Sequence, residues 1–597
     1  MSSVIRDTPL GQFIRLVTHN SVLQYPEEEA DFQLPDEWLS VASASKPEDL
    51  SLCACSSDTS TLYAIGKNVQ HEKGEGSFLS SESVSSAGTT SSADAVPSRR
   101  QDGRHDDIEQ AIEKAKSIPI APRRTADGTI LVDWYSTDDP ANPQNWTNLR
   151  RLFVSFIICL YTFAVYTSSS IFINSEPGIQ KEFSVNAIEV SLGLALFVLG
   201  YGVGPLIWSP LSELPSVGRS PVYFWTMLVF VLLSIPTALV TNYPGLIVLR
   251  FLQGFFGSPC LANGGASLGD LYDNMHLPYA LIGWVTAGYC GPALGPLLSG
   301  FSVPVLGWRW SLLEILFAGS AIFPVMFIFL PETSSATLLL QRAQRLRRRT
   351  GNAAFMSQSE IEQRGKSSRA IFVDALIKPL EITIKDPAIL FVQLYTAVVY
   401  GTFYSFFESF ALVYPVFYGM TSGQIGLVFL SVLVACLLGV IVYASYIHFY
   451  MNPRIRAIGE PVPEARLVPA LAAAFGPTIG LFVFAWTARP DVHWIVPTVG
   501  ITLYGANVFI LFQCLFVYVS LSYPKYAASL FAGNDLFRSA LAFAAVLFAP
   551  PLFEALGIAR GNSVLGGLSV IGIIGIWFLY IFGAKLRSMS KFAISEE

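Results

Sequence analysis

Twelve apolar stretches, six on each side of a basic segment, set the pattern of this chain after residue 150. The first six run over 152–172, 190–209, 221–240, 246–268, 279–300 and 310–330. The second six run over 388–411, 425–446, 467–486, 494–516, 527–548 and 564–582. A helix of about 20 apolar residues crosses the hydrocarbon of a bilayer. Lipid offers the backbone no hydrogen-bond partners, so such runs must be helical. Period-two alternation of the barrel kind is absent. The pattern predicts an all-α membrane protein of twelve transmembrane helices in two six-helix bundles, 149–330 and 388–583. That layout, halved by a charged loop, is the layout of a secondary transporter.

The remainder is polar. Residues 1–148 read as a cytosolic tail, mostly disordered, and 584–597 as a short cytosolic tail. Residues 331–387 read as a basic cytosolic loop with ten Lys and Arg. The run from Ser80 to Ser92 is of low complexity. The stretch from Val132 to Trp146, with its prolines and tryptophans, reads as an ordered lead-in at the membrane surface. Composition agrees with this division: 14% of residues are charged, against about 25% in soluble domains. The first residues hold Glu27, Glu28 and Glu29 and no apolar core of a signal peptide, so the first span is expected to direct insertion.

Orientation follows from the basic residues. One side collects Arg150, Arg151, Arg219, Arg454, Arg456, Arg466 and the basic loop. The other has Lys181, Arg309, Arg489 and Arg560. Both termini are therefore expected in the cytosol, most naturally at the plasma membrane, with the vacuolar membrane as the alternative.

Charges inside spans are costly and mark function by default. Arg250 stands in the fourth span, and its alternatives are a coupling role or snorkelling to the interface. Glu408 sits among aromatics in the seventh span; it reads as a reversible proton site, as a partner for a cationic substrate, or as a carboxyl bonded between helices. Gly291, Pro292, Gly295 and Pro296 in the fifth span read as a hinge or gate, or as a static kink. Asp535 and Arg538, three apart on the eleventh span, share a face and read as a structural ion pair near the cytosolic end. Phe403, Phe406, Phe407, Asn507 and Gln513, together with Glu408, are candidate cavity residues. Glu213, Gly218 and Arg219 in the loop after the second span form a candidate latch between bundles. The loop at 461–466 repeats the acid–Arg theme, which hints at an internal repeat.

No Walker A motif, zinc spacing or GxSxG is present. The seven cysteines lack metal or disulfide spacing. The chain is thus read as a transporter and not an enzyme. No cofactor is expected beyond a proton gradient. The expected partners are a small-molecule substrate, protons and the bilayer, with no nucleic acid, and the expected state is a monomer.

These residues resemble the major facilitator superfamily, specifically its fungal twelve-span drug:proton antiporters, over about 132–590. Arg250-Phe-Leu-Gln-Gly-Phe-Phe-Gly-Ser-Pro259 resembles the fourth-span motif, whose Arg the family implicates in proton coupling. Gly291-Pro-Ala-Leu-Gly295 resembles the fifth-span antiporter motif, associated with export. Glu213 and Gly218-Arg219 resemble the loop motif between spans two and three, although the family has Asp at the first position and a shorter spacing. Pro331-Glu-Thr333 is similar to the family's ending of span six. The resemblance implies proton-coupled export of small, largely apolar compounds by alternating access. The rival readings are a dedicated exporter of one native metabolite or polyamine, and a transporter-like sensor.

Overall fold

The computed structural model describes residues 5–43, 117–125, 127–364, 368–459, 462–523 and 526–590. The Ser80–Ser92 run and Cys53 and Cys55 lie outside the described residues.

Among the described residues, 11 helices are long and apolar enough to cross a membrane. The first six are Asn148–Phe183, Ala187–Glu213, Arg219–Leu239, Tyr243–Leu271, Leu277–Leu306 and Arg309–Phe329. The next four are Pro387–Tyr418, Ser422–Ala457, Pro463–Thr487 and Ile495–Ser522. The last, Ala527–Met589, is 63 residues long and breaks at Gly557, whose φ of 75° is not helical. Its two arms are the eleventh and twelfth spans.

Polar side chains start these helices where the backbone needs acceptors. Thr147 caps the first span, Asn242 the fourth and Asp386 the seventh. Asn186 and Glu189 form a reciprocal capping box at the second.

The two halves repeat each other in their turns. Gly218 before the third span has φ 83° and ψ −180°, and Gly459 before the ninth has φ 90° and ψ −175°. Gly307 between the fifth and sixth spans has φ 89° and ψ 165°. Gly557 between the eleventh and twelfth has φ 75° and ψ 162°. These conformations suit glycine alone. Matching angles at matching places support the repeat suggested by the two acid–Arg loops.

The bundles meet along two seams. The second span packs on the eleventh, where Gly202 leaves no room for a side chain beside Ser539. The fifth packs on the eighth, where a Cβ on Gly426 would lie 2.9 Å from the Pro296 carbonyl oxygen. Small residues allow this approach, as membrane helices require.

A small folded cap sits on the bundle end that carries the tail. Helices α1 (Pro9–Val17) and α2 (Asp36–Ser43) come from the tail, and α3 (Ser335–Thr350) from the central loop. Strand β1 (Ile130–Val132) pairs in parallel with β2 (Phe355–Ser357). Trp38, Val41, Ile130, Val132, Ala343, Leu346 and Phe355 form a second core. Described parts of the tail are therefore folded, because they bury apolar side chains against the central loop. At the end of the lead-in, Trp146 is buried in the bundle end with Arg150 stacked 3.7 Å over its ring.

The basic loop does more than signal topology. Arg342 bonds Asp139 at 2.7 Å and pairs with Glu27 at 3.2 Å. Arg345 pairs with Glu27 at 3.0 Å and stacks 3.8 Å over Tyr25. Arg347 binds Glu360 through two bonds. Burial raises the Asp139 carboxyl, but the bond and charge of Arg342 outweigh it and hold it below the usual carboxylate value.

Candidate transport pathway

The fourth span carries Arg250 into the first bundle, where it is fully buried. Nε donates to the Gly193 carbonyl at 3.2 Å, and Nη2 to the carbonyls of Ser168 at 3.1 Å and Ser169 at 3.5 Å. The guanidinium lies 4.3 Å from the Phe197 ring centre and 4.8 Å from that of Phe172. Among the described residues no carboxylate pairs with it. A caged, unneutralised cation does not snorkel, so that alternative is removed. Gln253, one turn on, donates to Ser234 at 2.9 Å and extends the cage.

Between the bundles, at mid-span, lies a tyrosine network. The Tyr201 hydroxyl is 2.7 Å from that of Tyr400 and 2.9 Å from that of Tyr404. Tyr404 also meets Ser169 at 3.2 Å. Ser169 thus links the network to the arginine cage. Beside it is a cavity of about 40 Å³ lined by Tyr166, Tyr289, Tyr400, Phe512, Phe516 and Arg538. Arg538 lies 4.8 Å from the Tyr400 ring centre and bonds Asp535. Asp535 and Arg538 do share a face and bond, but at the aromatic centre, not near the tail end. The deep position follows from the helix starting at Ala527, two turns earlier.

The seventh span divides by face. Tyr400, Phe403 and Tyr404 share one side at helical spacing, and Phe403 meets Tyr289 at 6.1 Å in that centre. Phe406 is two residues past Tyr404, on the opposite side. It packs against Phe484 and Tyr504 in the second bundle's core and does not line the cavity. The Phe407 side chain lies outside the described residues. Asn507 bonds its own helix at Leu503 and abuts Gly476, away from the centre. Gln513 reaches across to the Leu281 carbonyl of the fifth span at 3.2 Å.

Glu408 faces a different space. It lines a cavity of about 390 Å³ at the end opposite the cap, with Glu176 and Glu554. Glu176 and Glu408 come from different bundles and are electrostatic neighbours. The Glu176 Oε1 atom is buried and has no hydrogen-bond partner.

The 291–296 segment does not break its helix, which runs unbroken over Leu277–Leu306. Its glycines serve close approach instead. A Cβ on Gly291 would lie 2.6 Å from that of Tyr166 in the first span. Asn174 donates to the Pro296 carbonyl at 2.9 Å and to Ser299 at 2.8 Å. The segment welds the first and fifth spans within one bundle.

At the cap end, Glu213 accepts from Ser529 of the eleventh span at 3.2 Å, which crosses the divide. Arg219 stays within its bundle, bonding Asp270 at 2.8 Å. Glu332 accepts from the amides of Arg219, Ser220, Thr333 and Ser334. Gly218 has no side chain because the Glu332 carboxylate occupies that place. Sequence reasoning missed Asp270 and Ser529, and it named Glu332 within Pro331-Glu-Thr333 without its partners. It also missed Glu176 and the tyrosines, although Tyr400, Phe403 and Tyr404 carry a legible one-face spacing.

No group of His, Cys, Asp and Glu fit to hold a metal occurs among the described residues. The family model for the Major Facilitator Superfamily matches residues 158–545. The chain is 51% identical over 472 residues to the MFS-type transporter pyvG of Aspergillus violaceofuscus, covering 79% of this chain and 87% of that protein. It is 38% identical to the cycloheximide resistance protein of Candida maltosa, covering 78% and 86%. It is 37% identical to fluconazole resistance protein 1 of Saccharomyces cerevisiae, covering 77% and 84%. Among solved structures, the proton:xylose symporter XylE shares the fold with a TM-score of 0.54 and 12% identity, covering 73% of this chain and 96% of that one. The arginine cage, the two seams and these relatives lead to one conclusion: this chain belongs to the major facilitator superfamily, as a multi-pass membrane transporter related to fungal multidrug transporters.

Proposed function

We propose that this protein exports small, largely apolar compounds in exchange for protons, with both termini in the cytosol of a fungal cell. The observation that carries the reading is the pair Glu176 and Glu408, one from each bundle, in a single cavity. Two like charges there repel, and the repulsion is strong where water is scarce. A proton taken up between them from this side eases closure of this end; its release toward the cytosol restores the repulsion and favours reopening. Alternating closure of the two ends then moves protons one way and substrate the other.

The energetics suffice. A unit charge crossing 100 mV yields about 2.3 kcal/mol, and each pH unit about 1.4 kcal/mol. A hundredfold gradient costs about 2.7 kcal/mol. Arg250 would hold the first, second and fourth spans in register through its three carbonyl bonds. The aromatic centre would receive the substrate, with Tyr289, Tyr400 and Phe403 as apolar surfaces and Arg538 as its polar point. Glu213 with Ser529 would close the cytosolic end. Relatives named for resistance to cycloheximide and fluconazole support export over import.

The test is a deletion strain challenged with a panel of toxic compounds, with and without a protonophore. Hypersensitivity that the protonophore reproduces in the parent strain is expected; unchanged tolerance across the panel overturns the reading. Orientation has its own test. Asn145-Trp-Thr147 is a glycosylation sequon beside the cap, and glycan found there would reverse the topology.

A second reading is a dedicated exporter of one cationic compound such as a polyamine. Three carboxylates, Glu176, Glu408 and Glu554, on one cavity favour it. Competition by polyamines for efflux would separate the two readings.

A further inference from the structure

Helix α1 is held down by its polar face. Thr8 caps it by accepting from the Gly11 amide at 3.2 Å. Arg15, on the buried side, bonds Glu28 at 2.8 Å and the Leu23 carbonyl at 2.6 Å. The helix rests against the ends of the third and sixth spans. Its other face is apolar and bare: Phe13 is 57% exposed, Leu16 73% and Val17 61%. These three stand at i, i+3 and i+4, one side of the helix.

A soluble protein avoids such a face, but here its surroundings explain it. Beneath α1 is a cleft of about 450 Å³. Its walls include Phe13 and Pro9 of α1, Phe224, Trp225 and Leu228 of the third span, and Phe327 of the sixth. Among the described residues Trp225 is 60% exposed on the outside of a crossing helix, a place where such a side chain meets lipid. The bare face of α1 is therefore continuous with the lipid-facing belt. Trp residues favour that boundary, and an amphipathic helix lies in it with its apolar side sunk into the acyl region.

We propose that α1 is embedded in the membrane surface at the cap end and that a phospholipid acyl chain fills the cleft beneath it. The helix is then a lipid-facing anchor for the tail, which the same segment fastens to α3 through Glu27 and Tyr25.

The test places a photoreactive benzoylphenylalanine at Phe13, Leu16, Trp225 or Ser21 of the full chain, in nanodiscs of phosphatidylcholine and phosphatidylglycerol. Mass spectrometry then reads the adducts. Positions 13 and 16 are expected to label phospholipid within about twofold of position 225, and position 21, on the polar turn, to label none. Labelling at 225 with only protein adducts at 13 and 16 would overturn the proposal; it would show that another part of this chain or a second copy covers the helix. Native mass spectrometry addresses the cleft. Leu228→Trp should lower retained phospholipid, and equal retention by a folded variant would empty the cleft of its assigned occupant.

Discussion

The hydroxyls of Tyr201 and Tyr400 lie 2.7 Å apart across the divide between the two bundles. Each comes from a helix that must move relative to the other during transport. A buried hydroxyl bond contributes about 0.5–1.5 kcal/mol. Tyr201→Phe and Tyr400→Phe should each change efflux by about 2- to 10-fold, and the double variant should match a single one. Additive losses in vesicle efflux would show that the two hydroxyls act apart.

Arg250→Ala should abolish proton-linked efflux at normal membrane abundance. Arg250→Lys should fail as well, because three carbonyls are met by a planar fork that an ammonium cannot copy. Retained efflux in the Lys variant would reduce the requirement to charge alone.

Glu408→Gln and Glu176→Gln should each flatten the pH dependence of transport, since either removes one half of the carboxylate pair. A profile unchanged in both would clear the pair of proton carriage. A profile changed only in Glu408→Gln would leave the site on one bundle.

The free thiols of Cys290 on the fifth span and Cys436 on the eighth are neighbours across the second seam. Copper phenanthroline should oxidise the two thiols to a disulfide, with two electrons passing to the oxidant and two protons released. Efflux should fall and return on reduction. Cys436→Ala should be insensitive, and sensitivity in that variant would place the reactive thiol elsewhere.

The clasp between tail and loop should hold through the physiological pH range. Asp139 and Glu360 both lie below the usual carboxylate value: burial raises each, and the bonds from Arg342 and Arg347 outweigh it. Their stabilising contribution is present above the unfolded value of about 4 and is lost as pH falls through the lower folded values. Protease resistance of residues 5–43 should be flat from pH 5 to 8. Glu27→Ala, which leaves Arg345 without its carboxylate and Arg342 with Asp139 alone, should expose the segment at every pH, by about 3–5 kcal/mol if the pair is as buried as it stands.

The spans and the division at the central loop were legible because lipid forces long apolar helices, and periodicity needs no tertiary knowledge. The turn glycines were visible as residues, but their paired angles were not. At the site, Arg250 announced itself as a charge in an apolar run. Glu176 did not, since it follows the first span's apolar run and its meaning comes only from Glu408 far along the chain. Tyrosines in spans read as ordinary aromatics until their hydroxyls are brought together. Phe406 and Asn507 were named for the cavity by residue type and span alone, and side-chain type does not say which way a helix turns it. The cap was hidden because its core draws only two or three residues from each of three distant polar segments.

Fastening α3 and β2 to the tail leaves only the part of the central segment after Arg364 to join the two bundles. Much of that part is the 18-residue helix Ser368–Lys385, which touches both Pro205–Glu213 and Ala527–Met589. At 1.5 Å per residue such a helix is a rod of about 27 Å. The halves are thus joined by a strut lying under the moving seam, and lengthening or softening that strut should alter how far the machine swings without touching anything it carries.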